Sequence, residues 1–415
     1  MIMQDKESLV YDDLRRSLPI YFKTQYDYFE HLSKVQELYF QNSKEYVTFF
    51  QSSFPFLNDH IEHIKALIQK NIIHTQENIS QYYSKNSSLS TFLSDPHHQW
   101  DVVRIVQCHT THKKRVYKKG ALRNYLIYEN FIKKFKSVFP ASVESLHIHH
   151  GHHGEFLLQE YIETDHHFED DHLFNYQIGF LSILLYLLSA TDAHFENFIL
   201  SKKGLCFVDI ESIFQPLKKK DITNEVFSKS VYSTGVLPFE IDVPLKGKFD
   251  FSPISEDNWF SMPPHFKKTS IIKEGMRDAI QFITNHYTEI LDYFNEIATQ
   301  EYTMRVTIKP TLCYGLVLNK LSEKGWSDIE NVTYKALQLL NNEETHAQPI
   351  IEEEMRMILN YQIPIFYSSS RSTHLITDSL EIKNYFEKPG INRSLDRLHT
   401  LVSLDHYNMI QQLKI

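Results

Sequence analysis

Residues Thr191–Phe214 read TDAHFENFILSKKGLCFVDIESIF. Asp192 stands five residues before Asn197, and a Lys-Lys-Gly turn follows at Lys202–Gly204. An apolar run then closes on Asp209-Ile210-Glu211. Phosphoryl transfer asks for few protein groups: a lysine on the nucleotide phosphates, an Asp beside the attacking hydroxyl, and an Asn with a second Asp to hold magnesium. A loop carrying Asp192 and Asn197, with Asp209 returning on the next strand, would bring oxygen ligands together for a hard cation.

The same order extends upstream. Val116-Tyr117-Lys118 places a lysine on a strand-like run, and Glu129, eleven residues on in a helical stretch, is spaced to pair with it. Other kinase signatures are missing: no G-x-G-x-x-G precedes Lys118, and H-R-D, D-F-G and A-P-E do not occur. Taken alone, Asp192, His194 and Asn197 also fit a helix C-terminal turn, with Asp209 and Glu211 at a solvated strand end.

Bulk composition narrows the classes. The 415 residues are 42% hydrophobic and 23% charged, which suits a globular chain with a sizeable core. With 43 basic against 52 acidic side chains the net charge is −9, so a general nucleic-acid grip is not expected. The three cysteines, Cys108, Cys206 and Cys313, form no CxxC pair, which points to a reducing, cytoplasmic setting. The charged start lacks the apolar centre of a signal peptide. The longest apolar run, Ile178–Ala190, is too short to span a bilayer and suits a buried helix.

Along the chain, residues 1–90 read as a helical region. In FPFLNDHIEHIKALIQKNIIH, Leu57, Ile61, Ile64, Leu67, Ile68 and Ile72 recur every three or four residues, and Asn58 or Asp59 is placed to cap the start. Residues 91–165 turn to β texture: Val102–Gln107, Lys113–Lys119 and Glu155–Glu163, with one helix between the last two. Residues 166–415 read as mainly helical. There Ile272, Met276, Ile280, Ile283, Tyr287, Leu291 and Phe294 line one face, a stripe read as core packing.

At this level of detail the chain resembles the dehydratase domain of class II lanthipeptide synthetases. FPFLNDHI, DPHH (Asp95–His98), VYKK, TDAHFEN, VDIESIF, SVYSTGVLP (Ser230–Pro238), MRVTIKPTLCY and EMRMILNYQIPIF resemble that family's blocks in the same order. Ser94 stands where the family has Gly, and Lys119 and Gly120 replace its Pro-Arg after the lysine. The resemblance implies an α+β, lipid-kinase-like bilobal fold with a small mixed β-sheet N-lobe, a mainly helical C-lobe and the N-terminal helical region. It implies ATP and Mg²⁺ as cofactors and a ribosomally made precursor peptide as partner, phosphorylated on Ser/Thr and then relieved of phosphate. By position, Lys118 would hold ATP phosphates, Asp192 would act on the hydroxyl, and Asn197 and Asp209 would bind Mg²⁺. Asp95, His97, His194 and Glu211 match further motif positions.

Two departures shape the expectation. After the dehydratase blocks the chain reaches Ile415 without a Cys/Cys/His ligand set, so cyclisation would fall to another protein. Elimination in the family relies on a Thr, here Thr234, and on an Arg six residues earlier, where this chain has Ser228 beside Lys229. A serine hydroxyl cannot reproduce the planar, charged fork of a guanidinium on phosphate. The expected activity is therefore phosphorylation with weak or absent elimination. A complete dehydratase, or a silent peptide-binding subunit, are the other readings.

The histidine-rich runs are read as loop and helix lead-in. In HIHHGHHGEF, His147 and His149 share strand parity and are spaced to share an ion, with His150, His152 and His153 close by. In DHHFEDDH, Phe168 and Leu173 suggest the approach to a helix. Arg305 and Lys309 match a basic pair of the family block, fitted either to phosphate or to ordinary salt bridges.

Overall fold

A computed structural model describes residues 6–403 except 37, 81, 84–86, 95, 98, 99, 101, 121, 140–145, 151–155, 219–229, 244–246, 256–266, 310, 325–327 and 342–345. The fold is α+β, and the chain gathers into two compact units. The first holds Met1–Gly120, His149–Tyr161 and Lys309–Ile365; the second holds Ala121–Ile148, Ile162–Ile308 and Phe366–Ile415.

The first unit opens with helices Lys6–Tyr21, Lys23–Val35, Ser43–Ser53 and Asn58–Ser80. The isoleucine stripe of the last, Ile61, Ile64, Ile68 and Ile72, is buried as its spacing predicts. Its start differs from the expected cap. A short 3-10 turn, Pro55–Leu57, runs straight into it, and Asn58 is itself helical (φ −56°), so neither Asn58 nor Asp59 caps the start.

A buried ion pair ties the N-terminal helix to the sheet. Arg104 Nη2 lies 2.5 Å from Asp13 Oδ2, and neither side chain is exposed. The remaining bonds of the pair are made within the unit: Phe92 N–H donates to Asp13 Oδ1, and Arg104 donates to Asn71 Oδ1 and to the Ser90 carbonyl. Burial raises the Asp13 pKa, and the nearby guanidinium only partly offsets it. A buried pair persists only when its leftover donors and acceptors are satisfied in this way.

The sheet has the order Ser87–Leu89, Arg104–Cys108, Lys114–Lys119, Phe156–Glu160, His149–His150. All its pairings are antiparallel, which corrects the mixed sheet expected from the sequence. A helix between two strands allows a parallel crossover. Here His149–His150 adds a further reversal before Phe156–Glu160, so that strand returns antiparallel to Lys114–Lys119. Lys118 sits in that sheet opposite Leu157, its side chain buried. The helices Thr311–Glu323, Ile329–Leu340 and Ala347–Leu359 complete the unit.

The second unit is built on helices Asp171–Leu187 and Thr269–Asn285. They approach closely enough that a Cβ on Gly179 would fall 1.9 Å from the Ile272 carbonyl oxygen, and one on Gly275 would fall 2.1 Å from that of Tyr176. The first of these helices begins earlier than its apolar run, at Asp171. The Asp170 side chain accepts from Leu173 N–H, so the DHHFEDDH run is a helix approach with its cap.

The stripe read across Ile272–Phe294 is interrupted. A break at His286 separates Thr269–Asn285 from Tyr287–Ala298, and beyond it Phe294 is buried as expected while Ile290 and Ile297 take the places of Tyr287 and Leu291, which are only partly buried. The last part of the chain also holds a four-stranded antiparallel sheet, Thr303–Val306, Phe366–Ser369, Leu375–Ile376 and Glu381–Ile382, that the helical reading missed.

Candidate active site

In the second unit, the end of the buried helix becomes the Asp192 loop through an irregular turn. Ser189 and Asp192 both adopt left-handed backbone (φ 51° and 62°). For non-glycine residues that geometry is costly and persists where neighbours enforce it. The neighbour here is the segment after Asp209. Thr191 N–H donates to the Ser212 carbonyl, Phe214 N–H to that of Leu188, and Gln215 N–H to that of Ser189. The loop carrying Asp192 is thereby zipped to the segment carrying Asp209 and Glu211.

Asn197 closes the loop on itself. Its Nδ2 donates to the Asp192 carbonyl across 2.7 Å, and its backbone N–H donates to the His194 carbonyl. His194 Nε2 lies 3.3 Å from Asn197 Nδ2 and 3.6 Å from Asp192 Oδ1. His194 also caps the short 3-10 turn Phe195–Asn197, its Nδ1 facing Glu196 N–H. Since Nδ2 is held by the Asp192 carbonyl, the amide presents Oδ1 on its other arm, the oxygen a cation would take.

Asp209 follows the hairpin Phe198–Ser201/Gly204–Phe207, whose register sets it beyond Phe207. Tyr125, buried on the Arg123–Phe135 helix, donates its hydroxyl to Asp209 Oδ1. Burial, reinforced by the charges of Asp209 and Glu211, pushes the Tyr125 pKa well above its usual value, so it stays a donor. Its neighbour Asn124 donates to the carbonyls of Glu211 and Ile213, pinning the same segment.

Glu211 Oε1 pairs with Arg305 Nη1 at 3.0 Å. Burial works against the Arg305 charge, but the carboxylates of Glu211, Asp209 and Asp192 outweigh it and hold the guanidinium more firmly protonated than usual. Gln215 anchors the Arg305 strand, donating to the Arg305 carbonyl and accepting from Thr307 N–H. Of the basic pair read from the sequence, Arg305 thus belongs to this acidic cluster. Lys309, in the first unit, pairs with the fully buried Glu354, which Tyr314 and Asn341 also approach. Both residues make the ordinary salt bridges that the sequence left open.

Behind the Asp192 loop lies the Ser-Thr-Gly turn. Ala193 N–H donates to the Thr234 carbonyl at 2.8 Å, and Gly235 (φ 87°) presses against Ala193. Thr234 is wholly buried; its hydroxyl donates to the Val231 carbonyl and accepts from Val236 N–H. Ser228 and Lys229 lie outside the described residues, as do Asp95, His152 and His153.

In the second unit Glu129 is buried, accepting from Leu146 N–H and pairing with Lys133. In the first, His97 Nδ1–H donates to the Ile363 carbonyl, and the Pro96 carbonyl accepts from Ile363 N–H. Pro96 and His97 of the early block therefore meet Ile363 of the late one. His149 and His150 form the edge strand opposite Leu158 and Leu157. Among the described residues, no group of three or more His, Cys, Asp and Glu is arranged to hold a metal ion.

Residues 37–273, more than half of the chain, match the family described as "Domain of unknown function (DUF4135)". The chain belongs to this family. The DUF4135 match takes in Lys118, the Asp192 loop, Asp209, Glu211 and Thr234 and ends before Arg305. The chain is also 24% identical to the lacticin 481/lactococcin biosynthesis protein LcnDR2 of Lactococcus lactis subsp. lactis, over 418 residues. That alignment covers 88% of this chain and 41% of the relative, so the DUF4135 chain spans about two fifths of that protein's length. The two matches make it a relative of the class II lanthipeptide synthetases, as its motif blocks suggest. Among the described residues no helix is long and apolar enough to cross a membrane.

Tyr125 went unremarked in the sequence. A tyrosine on an amphipathic helix reads as core, and only its polar tip, aimed at Asp209 across 84 residues of chain, marks it out.

Proposed function

We propose that the chain is an ATP- and magnesium-dependent Ser/Thr kinase acting on a ribosomally made precursor peptide, with weak or absent elimination of the phosphate. The observation that carries this reading is the Asn197–Asp192 clip on a loop zipped to the Asp209–Glu211 segment. It supports a reading in which the Asp192 carboxylate serves a hydroxyl while the Asn197 amide oxygen and the Asp209 carboxylate serve a cation.

Asn197 and Asp209 fit magnesium, which favours oxygen and binds through one or two carboxylates together with substrate phosphates. When bound, the ion would neutralise charge on the transferring phosphoryl group. Asp192 would orient the Ser or Thr hydroxyl and accept its proton as the oxygen–phosphorus bond forms and the bond to the leaving diphosphate breaks. His194, beside that carboxylate, would fix its rotamer. Glu211 would hold Arg305 next to the acidic cluster. Lys118 takes the phosphate-binding role by its match to the family strand.

The committed hydroxyl of Thr234 and the serine at position 228 both support kinase chemistry over efficient elimination. The relative's printed role in lantibiotic biosynthesis supports a peptide as substrate.

The test is the intact mass of a precursor peptide encoded beside this protein after co-expression, with Asp192→Asn as control. Phosphate that persists on the peptide is the expected result. Loss of water would make the chain a complete dehydratase. An unmodified peptide, with no nucleotide binding, would leave a binding subunit.

A further inference from the structure

The helix Gly390–Ser403 lies beyond the stretch matched to the family, and one of its faces is polar yet buried. Residues 390, 393, 394 and 397 follow the spacing of a single helical face. Each meets one of the irregular segments that shape the site. Gly390 abuts Phe214, where a Cβ would come within 1.4 Å of the carbonyl oxygen. Arg393 Nη1 donates to the Gln215 carbonyl, and Ser394 Oγ donates to Ser189 Oγ at 2.9 Å.

Arg397, only 5% exposed, does most. Nη1 donates to the Tyr186 carbonyl at 2.7 Å and Nη2 to Ser233 Oγ at 3.1 Å, while the guanidinium stacks 4.0 Å over the Tyr186 ring. Two of the residues touched by this face, Ser189 and Phe214, hold left-handed backbone.

We propose that Arg397 is a positioning residue for the Asp192 loop: by joining the Tyr186 carbonyl to Ser233 it fixes the Val231–Thr234 turn, whose Thr234 carbonyl holds Ala193 N–H. The proposal rests on the phosphotransfer reading for its effect on rate, but not for its effect on the loop. A rigid planar fork suits the task, because one cation must reach a carbonyl at the end of one helix and a hydroxyl in a separate turn while stacked on a ring. Lysine puts its three donors on a single nitrogen and has no planar face to stack on the ring. The backbone of Asp192 is strained, and a strained loop relaxes when its outer support is withdrawn.

The experiment uses the full chain, Arg397→Lys and Ser233→Ala. The second variant removes a single hydroxyl, and so answers even if replacing a buried guanidinium unfolds the unit. Two quantities are measured: hydrolysis of ATP with magnesium, as separate kcat and KM, and amide hydrogen exchange of peptides covering residues 189–197 and 171–187. The expected result is faster exchange confined to 189–197, kcat lowered about tenfold or more, and KM for ATP within about twofold. Exchange rising equally in both peptides, or unchanged exchange with unchanged kcat, would overturn the proposal. If the parent chain turns over no ATP, the phosphotransfer reading fails separately, and the exchange comparison still decides whether Arg397 holds the loop.

Discussion

The side-chain amide of Asn197 donates to the backbone carbonyl of Asp192 across 2.7 Å. The residue proposed to bind the cation is thus also the residue that shapes the loop bearing the proposed base. Asn197→Asp keeps an oxygen for a metal but sets a carboxylate against a carbonyl. It is expected to lose phosphorylation as fully as Asn197→Ala, by about a hundredfold or more, since small misplacements in such sites cost that much. Retention of most activity in Asn197→Asp, measured by phosphate transfer to the peptide, would show that the clip is dispensable.

Tyr125 holds Asp209 from a different element, and Phe fits the same space without the hydroxyl. Tyr125→Phe should weaken the magnesium requirement curve by about 10- to 100-fold, the usual loss when a ligand's outer partner is removed. Saturating magnesium should restore most of the rate. A variant whose rate stays low at every magnesium concentration would assign Tyr125 to something other than orienting Asp209.

Neither side chain of the Asp13–Arg104 pair is exposed. Removing one partner strands the other charge, so Asp13→Ala should destabilise the protein by about 3–5 kcal/mol in denaturant unfolding. Replacing both, as Asp13→Leu with Arg104→Met, should recover much of that loss. Additive single-site costs would contradict this account.

His60 supplies a pH dependence. Its Nδ1 meets the Tyr361 hydroxyl, and burial, only partly countered by the charge of Asp59, lowers its pKa below 6.5. The folded state therefore prefers neutral imidazole. Its contribution to stability is complete above the unfolded value of about 6.5 and is lost as pH falls through that value toward the folded one. Melting temperatures taken between about pH 7.5 and 5.5 should fall less steeply for His60→Gln than for the parent. Parallel curves for the two proteins would remove His60 as the cause.

Local pattern made a good part of this architecture legible. The strand read at Lys113–Lys119 is Lys114–Lys119, the isoleucine stripe after Pro55 is buried, and the apolar run ending near Ala190 is the core of a buried helix. What escaped depends on partners distant in sequence. Arg305 finds Glu211 across 94 residues, and Tyr125 finds Asp209 across 84. The break at His286 was hidden because hydrophobic spacing continues through it on the same helical face. The antiparallel return of Phe156–Glu160 turns on a two-residue strand, shorter than any pattern can reveal.

The crossing of Gly179 and Gly275 bears on how the site stores its freedom. A junction where main chain lies on main chain has no rotamers to shuffle and no methyl-sized voids to fill or vacate. The two helices are thereby held stiffly against one another at this crossing. Any give that the proposed phosphotransfer needs would then come from the turns at Ser189–Ala193 and Val231–Gly235, so tuning that activity would fall to those few peptide units and not to the core.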